Sequence, residues 1–214
     1  MLNVGGGCSL TELLKHNEGG EDYIDDFFNG KFHITQIITC PYRSLYPKES
    51  YRMTLGRIFD LGVKQFYMEK GYEVNVRLEM PITDRVRLIG DIDLLRKTAN
   101  DIEIIEVKLS DFSEYTVSKG LLQVFAYGQM YKYIFNVEPK TELWCFGLRS
   151  FQVFRPNFGK QTWSRIIDRA LYCWTYIQKY NSEPRIPSRL DCKYCEEKFN
   201  CKLAYKRAED LELS

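Results

Sequence analysis

Two periodicities of apolar residues run through this chain. From Arg87 to Arg96 and from Ile102 to Leu109 branched apolar residues are dense, and the connection from Lys97 to Asp101 is polar, with Asn and Asp in it. That pattern predicts two strands joined by a hairpin. Tyr72 to Pro81 reads as a strand before them, and Thr141 to Leu148 and Phe151 to Phe154 as two after them, parted by Arg149-Ser150. Elsewhere the period lengthens to that of a helix. Tyr51 to Lys70 carries Ile58, Leu61 and Phe66 as its stripe and stops at Gly71, a C-cap glycine. Gly56 and Gly62 inside it cost propensity, for which close packing against the sheet is a reason. Val117 to Phe135, striped by Leu121, Leu122, Phe125 and Tyr133, and the aromatic-rich Trp163 to Tyr180 are two further helices. Ser9-Leu10-Thr11-Glu12 matches a capping box before a short helix that Gly19-Gly20 would end. Asn181 to Ser188, with Pro184 and Pro187, reads as a linker. Helix, three strands, helix and further strands in this order predict an α/β domain, a sheet covered by helices on both faces.

The polar residues inside the apolar strands carry the chemistry. Side chains alternate along a strand, so Glu106 and Lys108 share one face and Ile105 and Val107 the other. Asp93, in the neighbouring strand, can lie beside them. Two adjacent carboxylates repel one another and resist losing water. A hard divalent cation resolves that repulsion. Mg²⁺ or Mn²⁺ takes one or two carboxylates, a carbonyl and waters, which makes Asp93, Glu106 and Val107 between the strand's two charges the candidate ligands. Lys108 would orient or help deprotonate a water for metal-assisted hydrolysis. A surface salt bridge between Glu106 and Lys108, with Asp93 at the hairpin end, is the alternative that the spacing leaves open. Gln123 and Tyr127 lie four apart on one helix face, where they could bond a phosphate or position Lys108.

Composition narrows the field. A chain of 214 residues with 44% hydrophobic content suits one core-forming domain and excludes global disorder. A net charge of +1 means that the molecule as a whole does not attract nucleic acid. Local groups such as Arg85 with Arg87, or Arg149, Arg155 and Lys160, read as solvated faces. No signal peptide opens the sequence and no apolar run reaches membrane-spanning length, so a reduced, cytoplasmic setting is expected.

Seven cysteines are present. Cys145 and Cys173 fall in apolar runs and read as buried small residues, and Cys8 as an ordinary one. Cys192, Cys195 and Cys201 form C-x₂-C-x₅-C in a tail with few apolar residues, which needs a staple. Cys40, followed by Pro41 at a helix start, is the candidate fourth ligand. Such a site would clamp the two ends of the domain together. Zinc and an iron–sulfur cluster both accept four thiolates, and spacing does not separate them. His33 reads as a core or surface histidine.

Together these motifs resemble the CRISPR-associated Cas-four nucleases, relatives of the RecB-type domain in the PD-(D/E)XK superfamily. Cys40-Pro41-Tyr42-Arg43 looks like the first cluster cysteine of that family. Gly90-Asp91-Ile92-Asp93 looks like its Gly-x-x-Asp metal motif, Glu106-Val107-Lys108 like E-x-K, and Gln123 to Tyr127 like Q-x₃-Y. Cys192, Cys195 and Cys201 look like the C-terminal cluster ligands. The resemblance runs from about Ile34 to Cys201 in consistent order. It implies a nuclease core at 31–190, after an extension at 1–30 and before a cysteine segment at 191–214 that packs with Cys40. The implied fold is a central mixed sheet flanked by helices, with an iron–sulfur appendage joining the N- and C-terminal parts. It implies a 4Fe–4S cluster, with 2Fe–2S or zinc as alternatives. It also implies Mg²⁺- or Mn²⁺-dependent cleavage of single-stranded DNA from the 5′ end, beside the CRISPR adaptation integrase, with oligomeric state open. One departure stands out. Where the family often has Gly-x-x-x-His, Gly56 is followed by Asp60, a carboxylate that can replace imidazole on a hard cation. The missing histidine also suits a second reading, a nuclease fold that binds DNA or partners without cutting. A zinc-stabilised nucleic-acid-binding protein is a third.

Overall fold

The computed structural model describes residues 20–46, 51–110, 112–147, 149–186, 189–193, 195 and 201. The capping box at Ser9 and Cys8 lie outside them. Helix α1 (Gly20–Phe28) leads into a short strand β1 (Lys31–His33) and helices α2 (Ile34–Ile38), α3 (Pro41–Leu45) and α4 (Tyr51–Met68). Strands β2 (Glu73–Pro81), β3 (Arg87–Lys97) and β4 (Ile102–Leu109) follow, then α5 (Glu114–Phe135), β5 (Lys140–Phe146), β6 (Phe151–Phe154), α6 (Lys160–Tyr180) and α7 (Arg189–Lys193). Gly20 thus opens a helix, where the sequence reading has Gly19-Gly20 closing one. Its helix carries Phe27 into the core, against Phe32.

The sheet is mixed. β2 runs antiparallel along one edge of β3 from Glu73–Leu95 to Pro81–Arg87. The other edge of β3 is shared: β1 pairs with it in parallel over Arg87–Ile89, and β4 antiparallel over Leu94–Lys97. Between those two stretches, Gly90 to Ile92 is paired only on the β2 side, and Asp93 has no ladder partner. β4 leaves β3 there and continues in parallel with β5 as far as Leu109, and β6 closes that side. The sheet therefore forks, and Asp93 and Glu106 stand on its two prongs.

Helices cover both faces. One core joins Leu88, Ile92, Leu95 and Ile104 to Val124 and Met130 of α5, Ile34 and Ile37 of α2, and Ile166, Ala170 and Cys173 of α6. A smaller cluster on the opposite face joins Leu94, Ile105 and Val107 to Phe59, Val63 and Tyr67 of α4. The inward stripe of α4 is thus 59-63-67. Ile58 and Phe66, read as core, are 49% and 53% exposed. In α5, buried along most of its middle, the residues beyond Tyr131 run past the sheet, and Tyr133 is exposed. The glycine reading also changes: a Cβ at Gly56 or Gly62 would meet nothing within 4 Å, so close packing is not their reason. Gly71 does take the left-handed conformation, with φ of +85°. Cys145 and Cys173 are fully buried.

The pleat reverses at Asp93. Up to Ile92, even-numbered residues of β3 face the α5 core, whereas beyond it Leu95 does so and Leu94 faces α4. Opposite the reversal is Asn75, at φ of +53°, a conformation asparagine adopts more readily than most residues.

Candidate active site

The fork gathers charge from three elements. Asp93 stands where β3 and β4 part. Regular pairing ends at Leu94–Ile105, and Asp93 Oδ2 then accepts the Val107 amide at 2.9 Å, doing for the ladder what a main-chain carbonyl would have done. Glu106 is 1% exposed and its Oε1 is ion-paired with the Lys108 ammonium. Its other oxygen, Oε2, is buried without a hydrogen-bond partner. From α4, Asp60 and Lys64 reach in one turn apart. Lys64 Nζ lies 2.7 Å from Asp60 Oδ2 and 2.8 Å from Asp93 Oδ1. Asp60 Oδ1 is likewise buried and unpartnered. Buried polar atoms without partners are uncommon in folded proteins and ask for an explanation.

Burial, and then the charge of Asp93, push the Glu106 carboxyl up to about 8. Asp60 is raised for the same two reasons, with Lys64 offsetting part of the rise. Lys108 responds the other way. Burial works against its ammonium, but Glu106 and Asp93 hold its pKa above the usual lysine value. Lys64 is raised against burial by Asp93 and Asp60. Both lysines are therefore cations at neutral pH.

Gln123 and Tyr127 are both buried and bonded to one another, Gln123 Nε2 to Tyr127 Oη at 2.8 Å. The Tyr127 ring packs on Gly90, where a Cβ would stand 2.8 Å from it. Burial, and after it the charge of Glu106, raise the phenol pKa well above its ordinary value. This pair lies under the fork and touches its first prong at Gly90.

Two neighbours escaped the sequence reading, and a third, His33, reads there only as a core or surface histidine. Lys64 had a signal, an Asp-Lys pair at i, i+4. Lys119, on α5, is pushed down to about 8 by burial and by the charge of Lys108. His33 lies between two carboxylates, with Nδ1 3.3 Å from Asp91 Oδ2 and Nε2 3.6 Å from Asp26 Oδ2. Asp91 thus pairs with His33, while Asp93 turns into the fork.

The cysteines are placed differently. Cys40 precedes Pro41 in extended conformation as an N-cap, and Cys192 lies in α7. Their segments meet: Arg43 donates to the Asp191 carbonyl at 3.2 Å, and Arg185 lies 4.0 Å over the Tyr42 ring while bonding Cys201. Among the described residues, however, no three His, Cys, Asp or Glu side chains stand grouped as ligands, at the cysteines or at the fork. At the fork the obstacle is visible, since the two lysines occupy oxygens that an ion would use. The orphaned oxygens of Glu106 and Asp60 fit a hard cation.

Among the described residues no helix is long and apolar enough to cross a membrane. Residues 46–202 match the family model described as the PD-(D/E)XK nuclease superfamily. No curated protein matches the chain. Among solved structures, SSO0001 aligns with a TM-score of 0.61 at 18% identity, over 92% of this chain and 98% of that one. LHK-Exo, an alkaline exonuclease from Laribacter hongkongensis, aligns with a TM-score of 0.43 at 11% identity, over 89% and 100%. Its complex with dAMP aligns with a TM-score of 0.46 at 10% identity, over 91% and 100%.

Proposed function

This chain belongs to the PD-(D/E)XK nuclease superfamily, and from that premise we propose that it is a divalent-metal-dependent DNA nuclease whose active site is the fork between β3 and β4. The observation that carries this reading is the unpartnered, buried Oε2 of Glu106, whose other oxygen pairs with Lys108 and whose strand neighbour Val107 donates its amide to Asp93. Asp93, Glu106, the Val107 carbonyl and Asp60 would hold Mg²⁺ or Mn²⁺. When bound there, such an ion polarises a phosphoryl oxygen and makes water a better nucleophile at neutral pH. Lys108 stays charged, so it acts as a donor and not as a base. Its ammonium orients the attacking water and stabilises charge that builds on the phosphate. Gln123 and Tyr127 are positioning residues, holding Gly90 and the prong that carries Asp93.

The finer reading is 5′ to 3′ degradation of single-stranded DNA beside a CRISPR adaptation integrase, with an iron–sulfur cluster on Cys40, Cys192, Cys195 and Cys201. Its support is the motif order and the contact of Arg43 with Asp191, which draws the two cysteine segments together. Among the described residues the four thiols are not grouped as ligands. Iron and labile-sulfide analysis of anaerobically purified protein tests the cluster.

A non-cutting, DNA-holding module is the second reading, favoured by the hold of Lys64 on Asp60 and Asp93. Incubation of 5′- and 3′-labelled single strands with Mn²⁺ separates the two. Cleavage by the wild type that Glu106→Gln abolishes supports the nuclease. DNA binding without cleavage, unchanged in Glu106→Gln, supports the module.

A further inference from the structure

Oxygen by oxygen, the fork shows what an arriving cation must displace. Of the two oxygens of Asp93, Oδ2 is committed to the Val107 amide, and Oδ1 faces Lys64 at 2.8 Å. The same ammonium holds Asp60 Oδ2 at 2.7 Å. Lys64 is not a loose surface residue: its side chain is 12% exposed, and it joins α4 to β3. A cation that takes Asp93 as a ligand therefore competes with Lys64 for Oδ1.

Charge counting points the same way. Even with Asp60, Asp93 and Glu106 all ionised, three carboxylates face only two ammonium groups, Lys64 and Lys108. One negative charge is left over, which cannot balance a divalent ion while both lysines stay. Lys108 sits on the same strand as Glu106 and is tied to it. Lys64 has a four-carbon stem on the neighbouring helix and is the group that can withdraw.

We propose that Lys64 is a tethered counter-cation that occupies the metal ligands Asp60 and Asp93 until a single divalent ion displaces it. It keeps the two carboxylates together in the metal-free protein and raises the metal concentration needed to fill the site. The second orphaned oxygen, Asp60 Oδ1, is then the ligand already free for the incoming ion. This rests on the metal-dependent reading of the fork.

The test is calorimetric and spin-resonance titration of metal-free protein with Mn²⁺ alone, on wild type, Lys64→Met and Lys64→Arg. Lys64→Met is expected to bind about tenfold more tightly, one unit charge having left a partly buried site. Lys64→Arg, which keeps the cation, is expected to stay near wild type. All three bind one ion. Without metal, Lys64→Met is expected to melt at a lower temperature than wild type and to regain more on adding Mn²⁺. If it unfolds without metal, Mn²⁺ restores its helical circular dichroism. Equal or weaker binding by Lys64→Met, or a failure of Mn²⁺ to restore it, overturns the role of Lys64. Absence of Mn²⁺ binding in all three proteins overturns the metal-dependent reading, and this inference with it.

Discussion

Replacing Lys108 with methionine keeps the length of the side chain and removes its charge. Glu106 then loses the partner of Oε1, and Oε2 has none already. A carboxylate 1% exposed cannot turn to water for replacement. Removing one member of a buried ion pair costs about 3–5 kcal/mol when the other stays charged. Here Glu106 has an escape, because burial and Asp93 push it up to about 8 even beside Lys108, so at neutral pH it already holds a proton most of the time. What remains is the loss of a hydrogen bond from an ammonium, about 1.5–3 kcal/mol. Lys108→Met should therefore destabilise the metal-free protein by about 1.5–3 kcal/mol at neutral pH. The reverse change is milder. In Glu106→Gln the amide oxygen can still accept from Lys108, whose side chain is only partly buried, so about 1 kcal/mol is expected. The double variant should cost less than the two single costs together, with a coupling of about 1–2 kcal/mol. Urea unfolding in excess chelator, followed by circular dichroism, measures all three. A larger penalty for Glu106→Gln than for Lys108→Met, or strict additivity, would refute the account of this pair.

Three further outcomes follow from the same geometry. The Glu106 pKa lies above its unfolded value, so its contribution to stability is full below the ordinary carboxylate range and is lost as pH rises through about 8. Protons and cations compete for it, so Mn²⁺ affinity should climb between about pH 6 and 8, and flatten in Glu106→Gln; calorimetry in buffers of different ionisation enthalpy reads the released proton. Asp93→Asn keeps an acceptor for the Val107 amide and should fold with stability within about 1 kcal/mol of wild type while losing metal binding, whereas Asp93→Ala loses both and should cost about 1–3 kcal/mol by urea titration. Gly90→Ala would bring a Cβ to 2.8 Å from the buried Tyr127 ring, so it should cost about 1–3 kcal/mol and lower activity, while Gly56→Ala, with open space around it, should stabilise α4 by a few tenths to about 1 kcal/mol, both read by thermal melting.

The sequence carried its strands more legibly than its helix faces. Ile102–Leu109 is a strand with the bounds its alternation predicts, and β3 runs one residue past Arg96. The reason is local: dense branched residues bounded by a polar turn leave little else for the chain to do. Helix phase was harder. α4 is apolar on more than one side, so a period alone did not separate 59-63-67, which packs, from Ile58 and Phe66, which do not. β1 went unseen because three residues have no pattern of their own; they become a strand by pairing with Arg87–Ile89, more than fifty positions away. At the site, the shared face of Glu106 and Lys108 was readable from parity. The fork was not, since it depends on where β4 leaves β3 and on the pleat reversal at Asp93. Nor was the grip of Lys64 on Asp93, although its bond to Asp60 follows from helical spacing alone. The cysteine spacing suggested a closed site, and the structure brings the segments together with no three ligands grouped among the described residues.

The most direct test of the central claim is anomalous diffraction from crystals of the protein soaked in Mn²⁺. The account predicts one manganese peak at the fork, within bonding distance of Asp93, Glu106 and the Val107 carbonyl, with the Lys64 ammonium moved off Asp93. A peak elsewhere, or an empty fork in crystals whose protein still cuts DNA with Mn²⁺, would contradict it.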